Sequence, residues 1–198
     1  MSRSPLTKLL THGALLTSLL VIALLVHQHR ELSQQYREQR ARSLVLQAGD
    51  AVPAFRARTT LGDSITIGES QPGTRQLLFL LTKECPYCRA TLPFWKQIAA
   101  AVRNSPKMPV TAVAVALDSL PKMTAYLESF GVNVPIVEFP SPRLKRIYRA
   151  VAVPQTIILS DSGSILYSRT GVITDARVRD SVIFAALRPP RRVASAVK

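Results

Sequence analysis

The hydrophobic pattern divides the chain into one long unbroken run and a body whose period keeps changing. Residues 9–26 (LLTHGALLTSLLVIALLV) carry no formal charge and end in a continuous apolar stretch from Leu19. As a helix this run spans about 27 Å, close to the ~30 Å hydrocarbon core of a bilayer. Lys8 before it and the HQHR cluster at 27–30 after it would reach the interfaces and make up the difference. A secretory signal peptide has a shorter apolar region and ends in small residues. Here HQHRE follows, so a single uncleaved transmembrane helix is expected. Arg3 and Lys8 precede the run, while Arg30, Arg37, Arg40 and Arg42 follow it. A strict positive-inside count places the body in the cytosol, yet long folded domains translocate largely regardless of such charges. Flanking charge therefore leaves the orientation open.

Residues 28–43 are polar, lack Gly and Pro, and hold a Glu38–Arg42 pair at helical spacing. They read as a helical stalk or a disordered linker. From Gly49 the pattern is that of a folded domain. Residues 55–59 and 64–67 flank a Leu-Gly-Asp turn and predict a short hairpin. The apolar runs 77–82 (LLFLLT) and 110–117 (VTAVAVAL) are of buried-strand length, with a helical period over 89–102 between them. A helix over 123–130 stops at Gly131, and a strand follows at 136–139. Residues 143–150 are again helical, 155–160 and 165–169 flank Asp161-Ser162-Gly163 as a hairpin, and 175–187 close as an amphipathic helix. Apolar strands alternating with helices predict an α/β sheet covered on both faces. The expected organisation is an anchor at 1–27, a polar stalk or linker at 28–48, one domain at 49–187 and a basic tail at 188–198.

Composition removes most alternatives. The chain has 198 residues, 47% of them apolar, with a formal net charge of +14. Its three histidines, His12, His27 and His29, precede the body, so the body supplies no histidine triad and no zincin site. Residues 49–187 carry 16 bases against 10 acids, and the tail has four bases and no acid. No aromatic-interleaved basic stripe, recognition helix or zinc module is present, so nucleic acid is not expected as a partner. Anionic lipid headgroups or acidic partners suit this charge better.

The body's chemistry is concentrated in Cys85-Pro86-Tyr87-Cys88, between a buried strand and a helix. A helix N-terminus offers unpaired N–H groups and partial positive charge, which favour a thiolate. Pro86 suits the first helical turn, where its missing N–H has no partner to lose. Cysteines at i and i+3 share one helical face, so their sulfurs can bond. Cys85, at the exposed edge, is expected to attack a substrate disulfide, and Cys88 to resolve the mixed disulfide. Lys83 and Arg89 add positive charge and Glu84 opposes it. Two cysteines alone cannot build a structural zinc site, and no cofactor is expected. A copper-holding pair remains a rival, since soft thiolates suit Cu(I). Val153-Pro154 precedes the strand at 156–159. A proline there can hold a cis peptide and brings no N–H into the sheet. Facing the cysteines, it would leave the Val153 backbone to pair with an extended substrate segment.

Taken together, these residues resemble the thioredoxin superfamily, and within it the membrane-anchored TlpA/ResA-like branch. GDAVPAF at 49–55 resembles that branch's GDxxPxF motif, CPYC follows its strand, and Pro93 matches the proline that kinks the next helix. YLESFGVNVPIVEF at 126–139 resembles the branch's inserted helix and strand, and IYRAVAVPQTIILSD at 147–161 its cis-proline segment. The anchor with LLFLLTKECPYCRATLP also resembles MauD-like proteins, which assist maturation of methylamine dehydrogenase. The resemblance implies a thioredoxin-like fold with an N-terminal hairpin and a helix–strand insertion. It implies a single-pass protein of the bacterial cytoplasmic membrane, its soluble domain in the periplasm, exchanging disulfides of exported proteins. It also implies a membrane thiol electron donor that re-reduces the pair. Three positions depart from the family: Glu84 stands where Trp is usual, Phe79 where thioredoxins bury an acid, and Thr91 where ResA-like members place one. Glu84 or bound water is then the expected proton acceptor. The rival functions are a metallochaperone or assembly factor and a peroxiredoxin-like peroxidase.

Overall fold

The computed structural model describes residues 18, 20–33, 45–105 and 108–189. The chain divides into two units, Met1–Ser43 and Leu44–Lys198. In the first, residues 20–33 form a helix, α1, with His27 Nδ1 3.7 Å from Glu31 Oε1 one turn on. Among the described residues, no helix is long and apolar enough to cross a membrane. Residues 1–17 and 19 of the expected anchor, 34–44 of the expected stalk and 190–198 of the basic tail lie outside the described residues.

In the second unit, β1 (Phe55–Arg58) and β2 (Ser64–Ile67) pair antiparallel as the expected hairpin. The five-stranded sheet has the order β5-β4-β3-β6-β7, from β3 (Arg75–Leu81), β4 (Val110–Ala116), β5 (Ile136–Glu138), β6 (Gln155–Leu159) and β7 (Ile165–Thr170). β3, β4 and β5 run parallel; β6 is antiparallel to β3, and β7 to β6. The helices are α2 (Pro86–Arg103), α3 (Leu120–Ser129), α4 (Pro142–Ile147) and α5 (Ala176–Leu187).

Every residue of the central strand β3 is buried, and its alternation sorts the core into two layers. Leu77, Phe79 and Leu81 join Leu92, Trp95 and Ile98 of α2, Met123 and Leu127 of α3, and Val182 of α5. Leu78 and Leu80 face Phe55, Ala57 and Ile67 of the hairpin, with Tyr148 after α4. There Phe55, Phe139 and Tyr148 form an aromatic cluster, and the Tyr148 hydroxyl donates to the Pro53 carbonyl at 2.9 Å.

Within Leu44–Lys198 the expected strands and helices are present, with shifted ends. β3 begins two residues before the apolar run because Arg75 and Gln76 are buried polar residues with dedicated partners. The Gln76 amide accepts from Gly68 N–H at 2.7 Å and donates to the Thr66 carbonyl at 2.6 Å, joining sheet to hairpin. α3 begins three residues before its apolar period, with Ser119 at the N-cap and Pro121 in the first turn.

Candidate active site

The parallel strands β3 and β4 end side by side, with Leu117 N–H donating to the Leu81 carbonyl at 2.9 Å. The chain leaves β3 at Leu81, and α2 begins at Pro86. Cys85 is the N-cap of α2, in extended backbone, and its sulfur accepts the Cys88 N–H at 3.4 Å. A helix N-terminus thus points one of its orphan donors at this sulfur. Cys85 is half-buried and Cys88 has no exposed surface, so one turn of helix places one sulfur at the rim and one beneath it. Pro86 and Tyr87 stand exposed above them. On the far side, Cys85 Sγ lies 3.7 Å from the Val153 carbonyl oxygen, to which a thiol there donates. The Val153–Pro154 peptide is cis. Pro154 is buried at the start of β6 and its carbonyl accepts from Gly171 N–H, while Val153 is half-buried next to exposed Val151 and Ala152.

Burial pushes the Cys88 thiol up to about 12, against a hydrogen bond from the Thr82 backbone that favours the thiolate. The hydrogen bond to Cys85 and the negative charge of Asp118 add to the rise. Cys88 is therefore a thiol at neutral pH, and it must lose a proton before it acts as a nucleophile.

The two positions where the resemblance implies acids are otherwise occupied. The Phe79 ring stacks on Trp95, centroids 4.9 Å apart, and the Trp95 indole donates to Thr156 Oγ1 at 2.9 Å. Thr91 is fully buried; its hydroxyl donates to the Tyr87 carbonyl at 2.9 Å and accepts Ile173 N–H at 3.1 Å. The first site is apolar, and the second is a strut between α2 and the segment before α5. Glu84 is exposed.

Cys85, Cys88 and Val153 are thus brought together, with Pro154 directly behind them and Pro86, Tyr87 and Glu84 at the rim. Sequence reasoning missed two residues. Asp118, just past β4, accepts the Lys83 N–H at 2.6 Å through Oδ2. It also lines a cleft of about 410 Å³ with Ser119, Glu138, Pro140 and Lys145. Tyr126 of α3 packs beside the pair, and its hydroxyl is buried with no hydrogen-bond partner among the described residues. Its ring meets Phe130 edge-on at 5.2 Å, and the Arg89 guanidinium lies 5.9 Å from the centre of the Phe130 ring. Only knowledge that β4 lies next to β3 could have drawn Asp118 toward the cysteines. Among the described residues, no three or more His, Cys, Asp or Glu side chains are grouped to hold a metal ion.

A CxxC pair at the head of a helix, after the central strand and against a cis-proline turn, defines a thioredoxin-like thiol–disulfide oxidoreductase. The Redoxin family model matches residues 47–187, and the chain belongs to that family. It is 27% identical over 135 residues to sporulation thiol-disulfide oxidoreductase A of Bacillus subtilis, covering 66% of this chain and 79% of that protein. The crystal structure of StoA from Bacillus subtilis superposes with a TM-score of 0.53 at 24% identity, covering 66% of this chain and 98% of that one. A secreted Mycobacterium tuberculosis disulfide oxidoreductase homologous to E. coli DsbE gives 0.53 at 22% identity, covering 67% and 93%. These structures share the thioredoxin-like fold with its N-terminal hairpin. The chain is thus similar to thiol–disulfide oxidoreductases of the StoA and DsbE type.

Proposed function

We propose that the protein is a membrane-anchored oxidoreductase whose domain lies in the periplasm and exchanges disulfides with exported clients. Metalloenzyme or cytochrome maturation is the setting that this assignment favours. The Cys85 thiolate attacks a client disulfide; the client S–S bond breaks, one client thiolate leaves and a mixed disulfide forms. Cys88 then loses its proton and attacks Cys85 Sγ. The bond from Cys85 to the client breaks, and the second client thiolate leaves. Two electrons have passed to the client, the pair is a disulfide, and a membrane thiol donor re-reduces it. The client strand docks along Val153 and Pro154, with Tyr87 and Val151 as apolar contacts.

One observation carries this reading: Cys85 is half-exposed at the helix N-terminus and faces the Val153 carbonyl, while Cys88 is buried beneath it. The apolar run at 9–26 supports the anchor. Trapping tests the roles. Cys88→Ser should accumulate client mixed disulfides through Cys85, and Cys85→Ser should form none. The reverse pattern would invert the roles. Protease added to spheroplasts should digest the domain; a protected domain would place it in the cytosol.

A further inference from the structure

We propose that Asp118 is the proton acceptor that releases Cys88 for the resolving step. The inference rests on the assignment of Cys85 as attacking thiol and Cys88 as resolving thiol. Geometry supports it from three sides. The ends of β3 and β4 are bonded side by side, Leu117 N–H to the Leu81 carbonyl at 2.9 Å, and Lys83 N–H, two residues before Cys85, is taken by Asp118 Oδ2 at 2.6 Å. The carboxylate is therefore held by a main-chain bond against the segment that leads into the CxxC turn. Asp118 is half-buried and lines the 410 Å³ cleft with Glu138 and Lys145, so an accepted proton has a way out to water. The two positions where the resemblance led us to expect acids hold the Phe79–Trp95 stack and the Thr91 hydroxyl, neither of which is a base.

The groups that bear on Cys88 are Cys85 from the head of α2, Asp118 from the end of β4 and Tyr126 from α3. Arg89 and Glu84 bear on Tyr126 in turn. Of these, Asp118 is the carboxylate acting directly on Cys88. In the step itself, the Cys88 proton passes to Asp118 and the thiolate attacks Cys85 Sγ. The client thiolate leaves, and the proton moves on to that thiolate or to solvent through the cleft.

The charge on Asp118 also makes Cys88 harder to ionise, and this gives the test a sign. Asp118→Asn keeps an oxygen for the Lys83 N–H but has no base. If Asp118 acted through its field alone, the variant would resolve faster, because its thiol would be more acidic. If Asp118 takes the proton, resolution slows.

Reduced protein mixed with an aromatic disulfide such as Ellman's reagent releases one chromogenic thiolate when Cys85 attacks and a second when Cys88 resolves. In Asp118→Asn the first phase should stay within twofold of wild type. The second should slow about ten- to hundredfold at pH 7 and lose the acidic limb of its pH profile. Asp118→Glu should restore the limb. A second phase in Asp118→Asn that is unchanged or faster overturns the inference, as does equal slowing of both phases. Loss of the limb in Tyr126→Phe, with its retention in Asp118→Asn, also overturns it and moves the proton to Tyr126. A wild-type protein that releases only one equivalent, as Cys88→Ser should, sinks the two-thiol assignment itself.

Discussion

The two ends of β3 each bury a group that can carry charge, and they treat it in opposite ways. At the start of the strand, Arg75 is almost fully buried, and its guanidinium donates to the Ala185 and Ala186 carbonyls at 3.0 and 2.9 Å. These carbonyls end α5, where backbone acceptors are left over and the helix dipole favours a cation. The demand is met by fixed partners. Beyond the other end, Cys88 is held as a thiol by burial, and the Tyr126 hydroxyl beside it is buried without a partner among the described residues. A cavity of about 750 Å³, lined by Arg75, Asp161, Tyr167 and Phe184, lies at the Arg75 end. Volume and chemistry are thus separated. Reactivity belongs to the end where a protonation demand stays open, since a satisfied buried charge only holds structure.

The largest effect that could break this contrast is at Arg75. Arg75→Met keeps the backbone bond from Arg75 N–H to Pro109 and removes both donors to α5. Charge-assisted bonds are worth ~1.5–3 kcal/mol each, but the cost of burying the guanidinium disappears with them. A net loss of about 2 kcal/mol is expected, a fall of roughly 4–8 °C in melting temperature for a chain of this size. Disulfide turnover per folded molecule should not change. If turnover falls while the melting temperature holds, the two ends are coupled and the contrast fails.

The sequence revealed the order of the elements because β3, β4 and β6 each carry an apolar run, and because Pro and Gly mark most boundaries. It also revealed Cys85, Cys88 and Val153 as one constellation, since CxxC and X-Pro are local signals. Residues acting through sheet order were hidden. Arg75 and Gln76 look like loop residues until their partners on α5 and β2 are known. Asp118 looks like an ordinary residue in a turn after a strand until β4 is placed next to β3. Tyr126 reads as one more apolar residue of α3, because its lack of a partner is a property of packing. Glu84, the expected acceptor with bound water as its alternative, adjoins Cys85 in the sequence and lies exposed.

A second test sharpens the contrast through pH. Cys88 titrates at about 12 in the folded reduced protein, against 9.0 for an ordinary thiol. Between these values the unfolded chain has lost a proton that the folded chain still holds. Fewer protons are bound in the unfolded state, so stability falls as pH rises. The contribution is complete below about pH 9 and is lost toward about 12 at up to ~1.4 kcal/mol per unit. Melting of the reduced protein from pH 8 to 10.5 should therefore fall more steeply than that of Cys88→Ser. Parallel curves would mean that burial does not hold the proton on Cys88, and the open demand would vanish.

The smallest effect is expected at Tyr126, and its sign matters more than its size. A buried hydroxyl with no partner costs roughly 1–3 kcal/mol of desolvation, so removing it should stabilise the fold. Tyr126→Phe keeps the ring and its edge-on contact with Phe130. Partial relaxation around the group should reduce the gain to about 0.5–1 kcal/mol, a rise of roughly 1–4 °C in melting temperature. The same change at a satisfied hydroxyl gives the opposite sign. Tyr148→Phe provides the internal control, because its hydroxyl donates to the Pro53 carbonyl at 2.9 Å. That variant should lose about 1 kcal/mol, the net worth of the hydrogen bond it gives up. If both tyrosines destabilise alike when truncated, the Tyr126 hydroxyl is as well answered as Arg75. The site end of β3 would then owe its reactivity to the two sulfurs and Asp118 alone.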